Sequence, residues 1–157
     1  MKELTRGLWL GDSSDVDKAR EKGWSILHCL KDGEHSHRSL LKYTSQAAPS
    51  GPEYLVAKRR SEMYLNLIDP PTDKLVSGEA VDAGINFARE QLEKGNHVLL
   101  HCAQGKSRAP SIALLLLHSL GKLPTSRAIG TFKKLYPKYE PSEGLKSFVR
   151  KRLHHDA

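Results

Sequence analysis

The stretch from His101 to Arg108 contains a cysteine and an arginine separated by five residues, with a glycine among them. A short apolar run precedes it and a long apolar run follows, which predicts a loop between a buried strand and a helix. Backbone N–H groups in such a loop can turn inward, and the helix dipole adds positive potential, so the loop is suited to bind a phosphate dianion. The residues predicted to contact it are Ala103, Gln104, Gly105, Lys106 and Ser107.

The cysteine and the arginine have distinct chemical tasks in this arrangement. Cys102 would lie at the end of a strand facing a helix N-terminus, where the helix dipole, the amides and Arg108 favour the nucleophilic thiolate over the thiol. Arg108 can hold two phosphoryl oxygens through its planar guanidinium. Taken alone, the spacing also fits a structural cysteine and an unrelated arginine, but the flanking apolar runs and Gly105 favour the phosphate site.

At these residues the sequence resembles the cysteine-dependent protein tyrosine phosphatase superfamily, and within it the small dual-specificity branch, whose signature is H-C-x5-R. His101, Cys102, Gly105 and Arg108 match that signature. The resemblance implies hydrolysis of phosphotyrosine, and of phosphoserine or phosphothreonine, in proteins through a phosphocysteine intermediate. It implies neither a cofactor nor a metal, and it gives His101 a role in orienting the loop.

The residue after the arginine departs from the family pattern. The family usually carries a serine or threonine there, a hydroxyl that helps to expel the thiolate, whereas this chain has Ala109. The pair Ala109-Pro110 is similar to the phosphatases of regenerating liver, a subgroup with slow turnover. Ser111 would point away from the loop on the following helix. A module that binds phosphate or a partner protein with little turnover is therefore an alternative function.

An acid that protonates the leaving oxygen is the third requirement of a phosphatase. The family supplies an aspartate on a loop after a strand upstream of the cysteine. Asp69 follows the predicted strand from Glu62 to Ile68, lies 33 positions before Cys102 and precedes two prolines that stiffen its loop. Asp73, 29 positions before the cysteine, is the alternative.

The second cysteine, Cys29, belongs to the predicted strand from Trp24 to Leu30. Because the carboxyl ends of parallel strands gather at one edge of a sheet, it could lie close to Cys102. The resemblance to the regenerating-liver subgroup implies a reversible disulfide between the two cysteines, which would protect the thiolate from over-oxidation. A small buried residue without a redox role is the alternative.

The stretch 31–60 is predicted to be an extended loop or hairpin inserted between strands, and it is long compared with small family members. Glu34, His35 and His37 could ligate a metal, but this spacing is more typical of solvated residues, so no metal site is predicted.

The net charge of +7 favours anionic partners. The expected partner is a phosphorylated protein. An anionic phospholipid is one alternative, because phosphoinositide phosphatases of the superfamily carry a lysine at the position of Lys106; a solvent-facing side chain on the loop rim is the other interpretation of that lysine. An RNA 5′-phosphate is a further alternative, which rests on the basic charge alone. Nucleic acid is not required, and the chain is expected to act as a monomer.

The pattern along the chain predicts one α/β domain over residues 1–157, with a mostly parallel sheet, helices on both faces and the phosphate loop at its carboxyl edge. Strands are expected over 8–10, 24–30, 62–68 and 97–100, and helices over 15–22, 78–94, 110–120, 125–135 and 142–153. Two cysteines without a disulfide pattern suggest a reducing compartment, hence the cytoplasm. The longest apolar run is too short to span a bilayer.

Overall fold

The computed structural model describes residues 1–155, which contain one sheet of six strands. The strands are β1 (Lys2–Thr5), β2 (Leu8–Asp12), β3 (Ser25–His28), β4 (Val56–Arg59), β5 (Glu62–Leu65) and β6 (Val98–Cys102). Their spatial order is β1-β2-β6-β3-β5-β4. The four inner strands run parallel, and the edge strands β1 and β4 are antiparallel to their neighbours. The predicted α/β fold with a mostly parallel sheet is confirmed.

The helices in the described part of the chain are α1 (Val16–Glu21), α2 (His37–Leu41), α3 (Gly78–Glu93), α4 (Arg108–Ser119), α5 (Ala128–Leu135) and α6 (Glu143–His155). The central helix α4 is buried at every position from Ala109 to Leu117, as expected of a helix that is apolar nearly all round. It packs on β6, whose five residues are all buried. Strand β6 and helix α4 therefore form the centre of the core and fix the loop that joins them.

The two faces of the sheet are covered unequally. Helices α3, α5 and α6 pack against α4 over the larger part of the core, which includes Val98, Leu100 and Phe132. Helix α1 covers the opposite face with a small cluster that includes Ile26 and Leu99. Side chains alternate between the two faces along β6. Because helices cover both faces, every residue of this strand is buried.

The structure corrects the prediction for the stretch 31–60. This segment is not a single extended loop, because it contains the short helix α2 and the edge strand β4, which forms an antiparallel hairpin with β5. His37, predicted to be solvated, is buried: its ring nitrogens lie 3.0 Å from the Tyr43 hydroxyl and 2.7 Å from the carbonyl oxygen of Glu53. A buried histidine with both nitrogens bonded stabilises this segment.

Several element boundaries also differ from the prediction. Strand β1 was not expected, β5 ends three residues early, and the predicted helix at 125–135 begins with a 3-10 turn over 125–127. Within residues 1–155 no three His, Cys, Asp or Glu side chains are grouped so that they could hold a metal ion. No helix in the described range is both long enough and apolar enough to cross a membrane.

Candidate active site

The loop of residues 103–107 connects the last residue of β6, Cys102, to the first residue of α4, Arg108. Cys102 is only 2% exposed. Three of the loop residues are exposed, while Gly105 and Ser107 are buried. The nucleophile predicted from the sequence therefore lies at the carboxyl end of a central strand and in front of a helix N-terminus.

Gly105 determines the path of this loop. Its φ of +68° lies in the left-handed region, which favours glycine. A Cβ atom there would lie 2.9 Å from the carbonyl oxygen of Gly11 and 3.1 Å from the hydroxyl oxygen of Tyr136. That hydroxyl donates to the carbonyl oxygen of Gly105 at 2.6 Å. Burial is the main factor that raises the pKa of Tyr136 to about 12, so the phenol keeps its proton at neutral pH.

Asp69 lies at the same loop. One of its carboxylate oxygens accepts a hydrogen bond from the Ser107 hydroxyl at 2.6 Å, and this hydroxyl accepts from the backbone N–H of Ser142 at 2.9 Å. A guanidinium nitrogen of Arg108 lies 3.5 Å from the carbonyl oxygen of Leu67. The Ser107 hydroxyl thus links the loop directly to the segment that carries Asp69 and to the start of α6.

Asp73, the alternative acid, faces helix α6 instead. Its carboxylate accepts from the Lys151 ammonium at 2.7 Å and from the Ser147 hydroxyl at 2.5 Å. The hydrogen bonds from Lys151 and Ser147 lower the pKa of Asp73. Gly144 in the same helix donates its N–H to the Pro70 carbonyl at 3.1 Å, and a Cβ atom there would lie 2.5 Å from that oxygen. Helix α6 therefore supports the Asp69 loop from behind and engages Asp73.

Arg108 has unused donor capacity at the site. Its Nε atom is buried and has no hydrogen-bond partner among the described residues. Since guanidinium N–H groups donate and do not accept, this atom fits a site for an oxyanion.

Cys29 follows β3 and lies beside Cys102. His28 pairs with His101 in the parallel register, and the backbone N–H of Cys29 donates to the His101 carbonyl at 2.9 Å. Neighbouring strands lie about 4.8 Å apart, so the two cysteines that follow this pair are neighbours across the strands. Both are buried free thiols. Burial is the main factor that raises the pKa of Cys29 well above its ordinary value, so this thiol is protonated.

A buried hydrogen-bond network that the sequence analysis missed continues from His101. Its Nε2 lies 2.6 Å from Nδ1 of His28, whose Nε2 lies 2.7 Å from a carboxylate oxygen of Glu62. Arg20 donates to the same carboxylate at 2.9 Å. Burial lowers the pKa of both histidines, so their rings are neutral at pH 7. One sequence feature could have indicated this network: the dipeptide His-Cys occurs twice, at residues 28–29 and 101–102.

Glu62 is expected to make stability sensitive to acid. Burial raises its pKa, but the hydrogen bonds from His28 and Arg20 outweigh this and hold the pKa at about 2, below the ordinary 4.5. A depressed carboxyl pKa stabilises the fold above pH 4.5, and that stabilisation is lost as the pH falls towards 2. We expect Glu62→Gln to lower the free energy of unfolding at pH 7 by about 2 kcal/mol, measured by urea denaturation.

The difference between wild type and Glu62→Gln should shrink as the pH falls from 4.5 to 2. A difference that stays constant over this range would contradict the prediction. Glu53→Gln is the matched control, because Glu53 pairs with Arg59 at the surface; it should affect stability much less, since exposed ion pairs contribute little.

Solved structures similar to this chain share one architecture. Human tyrosine phosphatase-like serine/threonine/tyrosine-interacting protein superimposes with a TM-score of 0.69 at 15% identity, covering 99% of this chain and 97% of that one. Human DUSP28 gives 0.66 at 16% identity, covering 98% and 92%. DUSP15 gives 0.67 at 17% identity, covering 99% and 93%. The fold is that of the dual-specificity phosphatases.

Sequence comparison covers less of the chain. A family model described as the Rit1 DUSP-like domain matches residues 78–155, which run from α3 to α6. Cys102 and Arg108 fall within the matched range, whereas Asp69 and Cys29 precede it. No curated protein sequence matches the chain. The dual-specificity phosphatase fold thus rests on the whole structure, and the family model supports its carboxyl-terminal part.

Proposed function

We propose that this chain is a cysteine-dependent phosphatase that hydrolyses phosphotyrosine, and also phosphoserine or phosphothreonine, in proteins. The observation that carries the proposal is the joint position of three groups: Cys102 ends β6, Arg108 begins α4, and Asp69 is bonded to the loop between them through Ser107. They match a nucleophile, a cation for the phosphoryl oxygens and an acid for the leaving group.

In the first step, the thiolate of Cys102 attacks phosphorus. The S–P bond forms while the bond from phosphorus to the ester oxygen breaks, and Asp69 gives its proton to that oxygen. The hydrogen bond from Ser107 holds one carboxylate oxygen of Asp69 and leaves the other free to reach the leaving group. Arg108 and the amides of residues 103–107 stabilise the charge on the transferring group.

In the second step, water attacks the phosphocysteine. The Asp69 carboxylate now accepts a proton from the water, the S–P bond breaks, and inorganic phosphate leaves as the Cys102 thiolate is regenerated. No other reactant is required.

Ala109 supports a second candidate, a module that binds a phosphorylated partner with slow turnover. Its side chain is fully buried and has no hydroxyl. Nearby hydroxyls have other partners: that of Ser111 lies 2.9 Å from the Tyr139 hydroxyl, and that of Ser107 is bonded to Asp69. One structurally similar human protein is itself named phosphatase-like and interacting. In such a module, release of the Cys102 thiolate from the phosphocysteine would limit the rate of turnover.

Rapid-mixing kinetics with p-nitrophenyl phosphate separate the two candidates. Steady turnover at the initial rate supports the phosphatase. A burst of product equal to the enzyme concentration, followed by a very slow phase, supports the binding module. We expect Ala109→Ser to increase the rate of the second phase without changing the burst, because it supplies the hydroxyl that helps the thiolate to leave. An unchanged second phase would refute that role for position 109.

The substrate class is tested by comparing kcat/KM for phosphopeptides, phosphoinositides and RNA with a 5′-phosphate. Lys106 is exposed on the loop. If the protein prefers phosphoinositides or RNA, and Lys106→Ala abolishes this preference, the preferred polyanion is the substrate class instead of a phosphoprotein. A preference for phosphopeptides that Lys106→Ala leaves intact supports the protein substrate.

A further inference from the structure

The stretch 31–60 and the segment that carries Asp69 border an open cavity of about 340 Å³. Tyr54, Ile68 and Leu75 line it and are 44%, 38% and 57% exposed. Within residues 1–155, Met1 is the other large apolar side chain that is exposed. Exposed apolar side chains are therefore concentrated around this cavity, and such a cluster marks a binding site more often than scattered apolar residues do.

The size and lining of the cavity fit part of a small ligand. Ligand pockets are mostly apolar, with few polar groups, and range from roughly 300 to 1,000 Å³. Here the apolar side chains share the lining with two cations, Lys31 and Lys74, and with Asn66 and Ser77. A pocket at the lower end of this size range can hold one side chain. Its concave shape does not match a flat lipid surface. Recognition of an RNA backbone depends on contacts to phosphates, and the exposed apolar side chains of this cavity would contribute nothing to such contacts.

The backbone links one wall of the cavity to the proposed phosphate loop. Ile68, in its wall, directly precedes Asp69. The carbonyl oxygen of Leu67 accepts from the backbone N–H of Lys31 at 2.9 Å and lies 3.5 Å from the guanidinium of Arg108. The peptide group between Leu67 and Ile68 thus contacts the proposed phosphate-binding arginine and continues into the wall of the cavity.

We infer that this cavity binds an apolar side chain of a phosphopeptide, adjacent to the residue whose phosphate lies at Arg108. The inference rests on the proposed function, since it takes the loop to hold the phosphate. Lys74 at the rim favours peptides with an acidic residue near the apolar one. The segment 31–60 is in this view a recognition element for protein substrates.

A double-mutant cycle tests the inference without requiring catalysis. In each phosphotyrosine peptide, one of the two positions that flank the phosphotyrosine carries either Phe or Ala. The binding of these peptides to the Cys102→Ser variant is measured by calorimetry. We expect one Phe peptide to bind about tenfold more tightly than its Ala counterpart, as a hydrophobic pocket typically achieves. Adding Leu75→Ala should reduce that ratio to near one, because the cavity loses an apolar wall.

Ile129→Ala is the matched control, because Ile129 is a partly buried apolar residue on α5, away from this cavity. It should leave the preference for Phe intact. Equal binding of all Phe and Ala peptides, or a preference that Leu75→Ala leaves unchanged, would overturn the inference. It would also be overturned if sedimentation showed a dimer that Leu75→Ala converts to monomers, because a second copy of the chain would then cover the patch.

Turnover of p-nitrophenyl phosphate by the wild type distinguishes failure of this inference from failure of the proposed function. Normal turnover without a preference for Phe rejects the cavity alone. Loss of both turnover and phosphopeptide binding rejects the phosphate site and, with it, the inference.

Discussion

Replacement of Cys102 by serine is expected to abolish hydrolysis of a phosphotyrosine peptide, with a loss in kcat on the order of 10⁴-fold or more. A serine hydroxyl is not ionised at neutral pH, and no S–P bond can form, so the phosphocysteine route is closed. The binding of inorganic phosphate, measured by calorimetry, should persist, since Arg108 and the loop remain. Measurable turnover by Cys102→Ser would place the nucleophile elsewhere.

The matched control is Cys29→Ala, which removes the neighbouring buried thiol. It should keep turnover within about twofold of wild type, because Cys29 is a protonated thiol with no step in the reaction. After mild peroxide, mass spectrometry should find a Cys29–Cys102 disulfide in the wild type and a sulfinate at Cys102 in the variant. A sulfinate at Cys102 with free Cys29 in the wild type would contradict a protective role.

Replacement of Asp69 by asparagine is expected to lower kcat for a phosphotyrosine peptide by roughly 10²-fold to 10⁴-fold, the usual contribution of a general acid. Asparagine keeps an oxygen that can accept the Ser107 hydroxyl, so the loop contact survives while the transferable proton is lost. Asp73→Asn is the matched control. It weakens contacts with α6 and should leave kcat within about threefold, because Asp73 faces Lys151 and Ser147.

The leaving group provides an independent readout of Asp69. In a series of aryl phosphates, the rate of Asp69→Asn should fall steeply as the leaving phenol becomes more basic, whereas the wild type should depend on it weakly, because the acid neutralises the departing oxygen. An equal dependence in both proteins, or a full loss of kcat in Asp73→Asn, would transfer the acid role away from Asp69.

The centre of the fold followed from local sequence patterns. Helix α3 was predicted to within a residue at either end, and the strand–loop–helix unit around Cys102 was anticipated because two apolar runs flank a short polar segment. Apolar runs and apolar periodicity indicate which residues are buried, and so they predict the elements of the core. Strand β4 left no comparable signal, because Lys58 and Arg59 are exposed on it. An edge strand forms by pairing with another strand, here β5, and its own apolar content contributes little.

The sequence by itself determined which groups share the loop between β6 and α4, since five residues separate Cys102 from Arg108 and any strand–loop–helix turn keeps them together. Only the tertiary structure decided that Asp69 contacts Ser107 while Asp73 turns to α6, that His28 meets His101, and that Tyr54 joins Leu75 around one cavity. These contacts join segments far apart in the chain. They depend on the register of parallel strands and on the docking of helices, which are set by packing across the whole core.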